Sequence, residues 1–393
     1  DTGIRLFKDR LPETPCISEW LGSILKKGEK VGIDGWVNSL HEAEDLRNGL
    51  TYYGLELETM TTDIFHTIWT NRPSLPKTPV FILDETITGA SCSDKICRIQ
   101  EAIAKNGASS IILSALDEIA WTLNLRGDDV HCNPVFISYL LISKEKHILY
   151  ILEEKISDEV RGYLKSHEVE IKTYSDLAED LRTFKEKHAG VLQISPLANK
   201  ALYDLSAQYA ETIIASSPVA MMKAVKNETE QAGFRKAMER DGVALVKFLR
   251  WLEQAVPAGK ETELSIDHKL YEFRSKQANF KGISFDTIAG YKDHAAIVHY
   301  EATPETDISL EAKGLLLLDS GAQYLDGTTD ITRTIALGSL TEEEKVDYTL
   351  VLKGHLHLQN AHFPAGTCGT QLDVLARIAM WKSGINYLHG TGH

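Results

Sequence analysis

The sequence lacks the features that mark several other classes of protein. It has no run of about 18 apolar residues, so we expect no membrane-spanning helix. Basic residues are in deficit, with 42 lysines and arginines against 56 acidic residues and a formal net charge of -14. A phosphate backbone is bound by clustered lysines and arginines, and no such cluster occurs. We therefore expect no nucleic-acid partner.

Cysteine is also scarce. The five cysteines are odd in number and irregular in spacing: Cys16, Cys92, Cys97, Cys132 and Cys368. A disulfide framework needs an even set, and a zinc site would need a second pair to accompany Cys92 and Cys97. The composition therefore predicts reduced thiols in a cytoplasmic protein.

A length of 393 residues predicts two or three domains rather than a single core. Residues 71–76 hold two prolines among polar neighbours, which suits a linker and gives a first domain at residues 1–73. Repeated strand-then-helix order predicts an α/β domain at residues 74–217. Another domain begins near Ser217-Pro218 and covers residues 218–393. The predicted fold class is a multidomain α/β and α+β protein.

Periodicity and capping patterns place the individual elements. We predict helices at residues 16–27, 40–50, 117–125, 176–187, 227–256, 263–278, 341–362 and 370–384. We predict strands at residues 30–34, 55–58, 109–114, 135–143, 148–153, 168–173, 191–194, 284–289, 295–300, 314–324 and 329–336. In the long helix, six apolar residues recur at helical spacing and should face a core: Phe234, Met238, Leu245, Phe248, Leu249 and Leu252.

Two aspartates stand out beside predicted strands. Asp319 follows the aliphatic run 315–318, which is typical of a strand buried on both faces. Burying a carboxylate is costly unless it is paired or binds a cation. Asp330 lies on the predicted return strand, after the turn signal Asp326-Gly327. Two adjacent buried strands that each carry an aspartate could hold divalent metals through oxygen.

The spacing of these aspartates leaves the metal site open. A tight turn at Asp326-Gly327 would pair Gln323 with Asp330 and leave the two aspartates staggered by four residues. For the carboxylates to meet, the loop must be wider or one strand must carry a bulge. The alternative is one aspartate in a turn and the other paired with Arg333.

Three histidines are further candidates. His389 and His393 are separated by a glycine-rich stretch that does not suit a helix. Glycines let the backbone approach a ligand closely, and neutral imidazole binds metals well, although a glycine-rich turn with incidental histidines is the alternative. His299 lies on a predicted apolar strand, where a lone histidine is more often a core residue with satisfied hydrogen bonds.

Taken in order, these motifs resemble the three-domain aminopeptidase P family. The matching stretches are Ile297-Val-His299-Tyr300, Asp319-Ser-Gly-Ala-Gln-Tyr324, Gly327-Thr-Thr-Asp330-Ile-Thr-Arg-Thr334 and His389-Gly-Thr-Gly-His393. The likeness extends upstream to Leu116-Asp-Glu-Ile-Ala-Trp121 and Asn133-Pro-Val-Phe-Ile-Ser-Tyr139, and so covers nearly the whole chain. Members are Xaa-Pro aminopeptidases with creatinase-like N-terminal α/β domains and a pita-bread catalytic domain.

The resemblance implies roles for five residues. In relatives, the residues that match Asp319 and Asp330 ligate two divalent metal ions, usually manganese. The residue that matches His393 ligates one of these ions. His299 and His389 match catalytic histidines beside the scissile bond. The implied reaction is hydrolysis between an N-terminal residue and a following proline by a hydroxide that the two metals activate. The implied partners are peptides with proline at the second position, and relatives are often homodimers.

The chain also departs from the family. Relatives begin earlier and continue beyond the position of His393, where they supply another histidine and two glutamates. We therefore expect residues 1–73 to be a remnant of a creatinase-like domain and residues 218–393 to be the first part of the pita-bread domain. We also expect the chain alone to bind at most one metal weakly and to have little peptidase activity. Tyr291-Lys-Asp-His294 replaces a Pro-Asn-Gly sequence that is common in relatives.

Two other functions stay open from the sequence. The first is a prolidase that cleaves Xaa-Pro dipeptides. The second is a metal-free pita-bread protein that binds peptides without cleaving them. Methionine aminopeptidase fits less well, because that form lacks two preceding α/β domains. Retention of Asp319, Asp330 and His393 argues against the metal-free protein, since a binding module has no reason to keep buried charges.

Overall fold

The computed structural model describes residues 3–8, 11–63, 65–188 and 190–393. The chain forms two compact units. One contains the described residues up to Val130 together with Pro134–Asn227, and the other contains His131–Asn133 and Glu228–His393. None of the helices in the described ranges has both the length and the apolar character that crossing a bilayer requires. The division at residues 73 and 217 remains a prediction.

The first unit begins with a small α/β segment. Its elements are helix α1 (Ile17–Ile24), strand β1 (Lys30–Asp34), helix α2 (Leu40–Tyr52) and strand β2 (Glu56–Met60). The two strands pair in parallel, which requires a crossover connection, and α2 supplies it. Ser39 and Glu42 form a reciprocal capping box that begins α2.

A six-stranded sheet forms the rest of this unit, in the order β10-β9-β4-β6-β7-β8. The short strands β3 and β5 pair separately. The elements are β3 (Phe81–Ile82), α3 (Glu85–Thr88), α4 (Cys92–Lys105), β4 (Ser110–Leu113), α5 (Leu116–Leu123), β5 (Leu125–Arg126), β6 (Ser138–Ser143), β7 (His147–Ile151), α6 (Asp158–Ser166), β8 (Val169–Thr173), α7 (Leu177–Arg182), α8 (Phe184–Lys187), β9 (Leu192–Ile194), α9 (Lys200–Tyr209), β10 (Thr212–Ile214) and α10 (Pro218–Ala224).

Side chains point alternately to the two faces along each strand, so this sheet has a hydrophobic core on each face. Ile111 and Leu140 pack into one core, whereas their neighbours Ile112 and Leu141 pack into the other. The predicted α/β layer and the hairpin of β6 and β7 are confirmed. The helix predicted at residues 176–187 is wrong as one element. It is divided at Thr183, whose hydroxyl donates to the Glu179 carbonyl and competes with the helical pattern.

The second unit combines helices with two antiparallel three-stranded sheets, in the orders β12-β13-β16 and β11-β14-β15. Its elements are α11 (Glu228–Ala255), α12 (Glu263–Ser275), β11 (Phe280–Ile283), β12 (Ile288–Tyr291), β13 (Leu315–Ser320), β14 (Ala322–Tyr324), β15 (Gly327–Thr328), β16 (Ile331–Ala336), α13 (Glu342–Gln359) and α14 (Gly369–Trp381). The predicted cap of α13 by Thr341 and Glu344 is confirmed.

The core of this unit lies between α11, α12 and the sheet that contains β13. Leu245, Phe248 and Leu252 of α11 are buried there with Leu316 and Leu318 of β13. The expectation that Met238 faces the core is wrong, since its side chain is 43% exposed. The buried stripe of α11 continues instead through small residues and one acid: Gly233, Ala237, Asp241 and Ala244. Hydrophobic periodicity does not detect such residues.

Two strand predictions in this unit are corrected. The strand predicted at 284–289 is a loop followed by β12. The strand predicted at 295–300 is also wrong, because a 3-10 helix (Lys292–Ala296) and irregular backbone occupy this stretch. Lys292 and His299 adopt left-handed backbone conformations, with φ of 51° and 54°, that an extended strand excludes. The chain folds back closely enough that a Cβ at Gly290 would lie 2.8 Å from the Ala295 backbone.

A buried ion pair joins α11 and α12 to β14. Arg274 of α12 donates two hydrogen bonds to the Asp241 carboxylate, at 2.8 and 2.9 Å, and both side chains are at most 1% exposed. The Tyr324 hydroxyl donates to the same carboxylate at 3.0 Å. Burial, together with this acid, raises the pKa of Tyr324. The bidentate geometry offsets the cost of removing two charges from water.

We predict that Arg274→Ala lowers the free energy of unfolding of this unit by about 3–5 kcal/mol, because it leaves Asp241 buried and unpaired. Tyr324→Phe is the matched control, which removes one hydrogen bond and should cost about 1 kcal/mol. Hydrogen exchange of α11 and α12 peptides in increasing urea measures both losses. Equal protection in Arg274→Ala and the unmodified protein would contradict the prediction.

Candidate metal centre and active site

One β-hairpin carries both aspartates, and its register is continuous. Asp319 of β13 pairs with Thr332 of β16. Farther along, Tyr324 pairs with Gly327, so the connecting residues are Leu325 and Asp326. The predicted turn at Asp326-Gly327 is therefore wrong by one position. That shift reduces the stagger of the two aspartates from four residues to two, and neither the wider loop nor the bulge is needed.

Close packing on α11 explains why the turn lies there. A Cβ at Gly327 would lie 3.0 Å from the Ala237 methyl group, and one at Gly233 would clash with the Asp326 carbonyl oxygen. Glycine at 327 therefore serves contact with the helix rather than a turn conformation. Arg240 of α11 forms an ion pair with Asp326. Although burial opposes it, this guanidinium lowers the pKa of Asp326.

The register brings the two carboxylates to one face of the hairpin. Asp330 lies two residues before Thr332, the partner of Asp319, so the aspartates are diagonal neighbours across the strands. Leu316 and Leu318 point to the opposite face, into the core. The expectation that β13 is buried on both faces, and both carboxylates with it, is wrong. The Asp319 side chain is 19% exposed and that of Asp330 is 53% exposed.

His393 meets these carboxylates. Its Nε2 atom lies 3.1 Å from Asp330 Oδ1 and 3.9 Å from Asp319 Oδ1. Thr332 donates a hydrogen bond of 2.6 Å to Asp319 Oδ1, and its hydroxyl is 3.4 Å from His393 Nδ1. One ligand atom from each of Asp319, Asp330 and His393 lies within 4.8 Å of the others. The hydroxyl orients one carboxylate while the imidazole faces both.

Arg377 of α14 holds the segment that ends in His393. Its guanidinium donates to the backbone carbonyls of Tyr387 and His389, at 2.7 and 2.8 Å, and to the Asp373 carboxylate at 2.6 Å. Thr391 also donates to Asp373. The guanidinium and this hydroxyl lower the pKa of Asp373. The carboxylate therefore stays charged at neutral pH and joins the helix to the segment.

His389 lies on this segment and is exposed. Its ring stacks on Tyr387 with centroids 4.7 Å apart, and its Nδ1 is 2.8 Å from the Gly390 carbonyl oxygen. A Cβ at Gly390 or Gly392 would meet no atom within 4 Å. The glycines therefore leave open space beside the histidines rather than permit a contact within the chain.

His299 lies on an exposed loop, and hydrogen bonds to a buried carboxylate hold this loop in place. Glu263, at the start of α12, is fully buried and accepts hydrogen bonds from Tyr291 N at 2.8 Å and from His294 Nδ1 at 2.9 Å. The Tyr300 hydroxyl donates to the same carboxylate at 2.8 Å. Burial and this acid raise the pKa of Tyr300. The loop on either side of His299 is thus attached to one acid.

The structure brings three of the five candidate residues together and leaves two apart from that group. Asp319, Asp330 and His393 converge. The hydrogen bonds and ion pairs of the described residues do not connect His299 or His389 to them. The alternative pairing of an aspartate with Arg333 is not seen, because Arg333 donates to the Thr332 carbonyl and Asp330 faces His393.

The converging donors fit a divalent metal. Two carboxylates and one imidazole suit hard or borderline ions such as Mn²⁺. Ligand atoms of one octahedral ion at about 2.1 Å from the metal lie about 3 Å apart, which is close to the spacing of His393 and Asp330. Only a small contraction would bring Asp319 Oδ1 to the same ion.

Sequence reasoning missed the residues that position the five candidates, namely Thr332, Glu263, Asp373 and Arg377. Among these residues only Glu263 has a signal in the sequence, because it directly follows Thr262, which caps the helix. First-turn acids are common on exposed helices, so that position did not reveal its burial.

Two family models match the chain. A creatinase/prolidase N-terminal domain matches residues 71–230, and metallopeptidase family M24 matches residues 232–393. The chain is 38% identical over 406 residues to a probable Xaa-Pro aminopeptidase P of Sordaria macrospora, covering 100% of this chain and 66% of that protein. It is 37% identical over 401 residues to Xaa-Pro aminopeptidase 1 of Dictyostelium discoideum, covering 99% and 63%.

A solved structure is also similar. The X-prolyl aminopeptidase of Caenorhabditis elegans, described as a cytosolic enzyme with a di-nuclear active site, superposes with a TM-score of 0.92 at 33% identity. The match covers 99% of this chain and 64% of that one. The chain thus spans about two thirds, or slightly less, of the length of these three proteins.

We predict that Asp330→Asn weakens Mn²⁺ binding at least tenfold, because even residues that only orient a ligand contribute about 10–100-fold to metal affinity. Asp347→Asn is the matched control, since it removes an exposed carboxylate from α13 and should leave the affinity unchanged. Titration calorimetry with MnCl₂ measures both. Equal affinities for the two variants would rule out Asp330 as a ligand.

Proposed function

Since the chain belongs to the aminopeptidase P family and carries a metallopeptidase family M24 domain, we propose that it acts as a metal-dependent Xaa-Pro aminopeptidase. The reaction is hydrolysis of the bond between an N-terminal residue and a following proline. The substrates are peptides with proline at the second position. The observation that carries this proposal is the convergence of Asp319, Asp330 and His393 on one face of a hairpin.

Asp319 and Asp330 would hold two divalent ions between them, and His393 would ligate one. Their oxygen-rich character favours manganese. When bound, such ions polarise the scissile carbonyl and activate water for attack on it. Thr332 keeps one lone pair of Asp319 occupied, which fixes the direction in which its remaining lone pairs point.

His299 and His389 take the roles of hydrogen-bond donors to the substrate. Both are exposed and both lie on segments fixed by buried or clamped side chains, Glu263 for the first and Arg377 for the second. A donor held in place can stabilise the negative charge that develops on the scissile carbonyl oxygen. Such groups suit a proline substrate, because its tertiary amide has no N–H for the enzyme to bind.

The wider organisation follows the same family pattern. Residues 1–73 and 74–217 correspond to creatinase-like domains and residues 218–393 to the pita-bread catalytic domain. A cytoplasmic location agrees with the description of the Caenorhabditis elegans enzyme as cytosolic. We also propose a homodimer.

We predict that the protein, expressed from its complete coding sequence and supplied with Mn²⁺, releases the first residue of Xaa-Pro-Xaa peptides. His393→Ala should lower kcat/KM by at least tenfold, since it removes a metal ligand. Liquid chromatography of the released amino acid measures the rate. His357→Ala is the control, because this exposed histidine lies on α13.

The length of the peptide separates the aminopeptidase from a prolidase. An aminopeptidase cleaves the tripeptide and longer substrates, whereas a prolidase cleaves the Xaa-Pro dipeptide alone. Binding of these peptides without cleavage, in a protein that retains no metal by elemental analysis, would instead identify the metal-free binding protein and contradict the proposal.

A second prediction concerns Glu263, which we infer to be a positioning residue for His299. Glu263→Gln keeps the shape of the side chain but replaces one acceptor oxygen with an NH₂ group, so one of its donors loses its partner. We expect kcat to fall about tenfold while Mn²⁺ affinity stays the same. Glu261→Gln is the neighbouring control. A loss of metal affinity that parallels the loss of kcat would indicate general unfolding instead.

A further inference from the structure

A second group of metal-ligating side chains lies outside the site described above. His131, Cys132 and Asp286 all belong to the second unit. One ligand atom of each lies within 4.8 Å of the other two, and His131 Nε2 is 2.8 Å from Asp286 Oδ1. None of the three matches a residue assigned to the proposed aminopeptidase reaction.

The backbone at this group is constrained. Cys132 has a φ of 60°, a left-handed conformation that a residue with a side chain adopts rarely. Gln323 of β14 donates a hydrogen bond of 3.0 Å to the Cys132 carbonyl oxygen, and Thr328 of β15 in turn donates to the Gln323 side chain at 2.6 Å. The surroundings thus hold an unfavourable conformation, which is typical of ligand-binding positions.

We propose that His131, Cys132 and Asp286 bind a divalent ion of the zinc class. Thiolate, imidazole and carboxylate are the three ligand types that Zn²⁺ uses in proteins, and three protein ligands with an open fourth position are a common arrangement. The His131 and Asp286 side chains are 72% and 49% exposed, so an ion from solvent reaches them directly.

The spacing of the group agrees with an ion in its centre. Tetrahedral ligands at about 2.0–2.3 Å from zinc lie about 3.5 Å from one another. His131 Nε2 and Asp286 Oδ1 share a hydrogen bond of 2.8 Å and are therefore closer than this spacing, and the Cys132 sulfur lies within 4.8 Å of a ligand atom of each residue. Binding breaks the hydrogen bond between His131 and Asp286, so that the neutral imidazole binds the ion through Nε2 and carries its proton on Nδ1, and the thiol proton of Cys132 leaves to solvent.

The two groups of ligands differ in chemistry, so each group favours a different metal ion. The Asp319, Asp330 and His393 set contains no sulfur and suits manganese, whereas a thiolate strongly favours zinc over manganese. The inference therefore does not depend on the proposed aminopeptidase activity, and a spectroscopic readout specific to the metal–sulfur bond distinguishes the two sites.

The experiment is a Co²⁺ titration of the reduced full chain, followed by ultraviolet absorption. Co²⁺ substitutes for zinc and gives a thiolate-to-metal charge-transfer band only when a cysteine is a ligand. We expect the band to saturate at one Co²⁺ ion per chain and to disappear when Zn²⁺ is added. Cys132→Ser should abolish the band, and Asp286→Asn should weaken Co²⁺ affinity at least tenfold. Cys97→Ser is the control at an exposed thiol on α4 and should leave the band unchanged.

Two results would overturn the proposal. The first is the absence of a thiolate band in the unmodified chain at Co²⁺ concentrations that saturate the site of Asp319, Asp330 and His393. The second is a band of equal strength in Cys132→Ser. Circular dichroism of each variant checks the fold, and the exposed position of His131 makes His131→Ala a further variant that should lose the band without unfolding.

Discussion

The register of one β-hairpin sets the geometry on which the candidate metal centre depends. Asp319 and Asp330 are neighbours only because β13 and β16 pair with Asp319 opposite Thr332. A slip of one residue would turn one aspartate to the other face of the sheet, since side chains alternate along a strand. The register is maintained at the far end of the hairpin, where Gly233 and Gly327 allow α11 and the turn to approach closely. Packing far from the carboxylates thereby fixes their spacing.

Much of this arrangement could be predicted from the sequence. The order of the motifs along the chain predicts the aspartates and histidines as candidate site residues. Periodicity and local capping predict the α/β layer, the hairpin of β6 and β7 and the cap of α13. The predicted turn is off by one position because an Asp-Gly pair is typical of a turn, whereas the role of Gly327 is contact with Ala237 of α11. Local patterns do not distinguish these two reasons for a glycine.

The loop that carries His299 shows a second limit. An apolar run before this histidine favoured a strand, but the loop is determined by hydrogen bonds to Glu263, which is 37 residues from Tyr300 along the chain. Arg377 has a comparable role for the segment that contains His389. In both cases one charged side chain satisfies several polar groups of a distant loop, and such long-range contacts leave no periodic signal in the sequence.

The contacts between α11 and the hairpin determine how far the chain would have to reorganise when a metal ion binds. Gly233 packs against the Asp326 carbonyl, Arg240 pairs with the Asp326 side chain, and Asp241 accepts a hydrogen bond from Tyr324, so one helix of 28 residues supports the turn end of the hairpin through three contacts. With the hairpin already in place, the binding free energy of a metal is not spent on ordering these two strands. In the proposed metal site the carboxylate pair would be preorganised, and the entropy lost on binding an ion would fall mainly on the more exposed segment that carries His393.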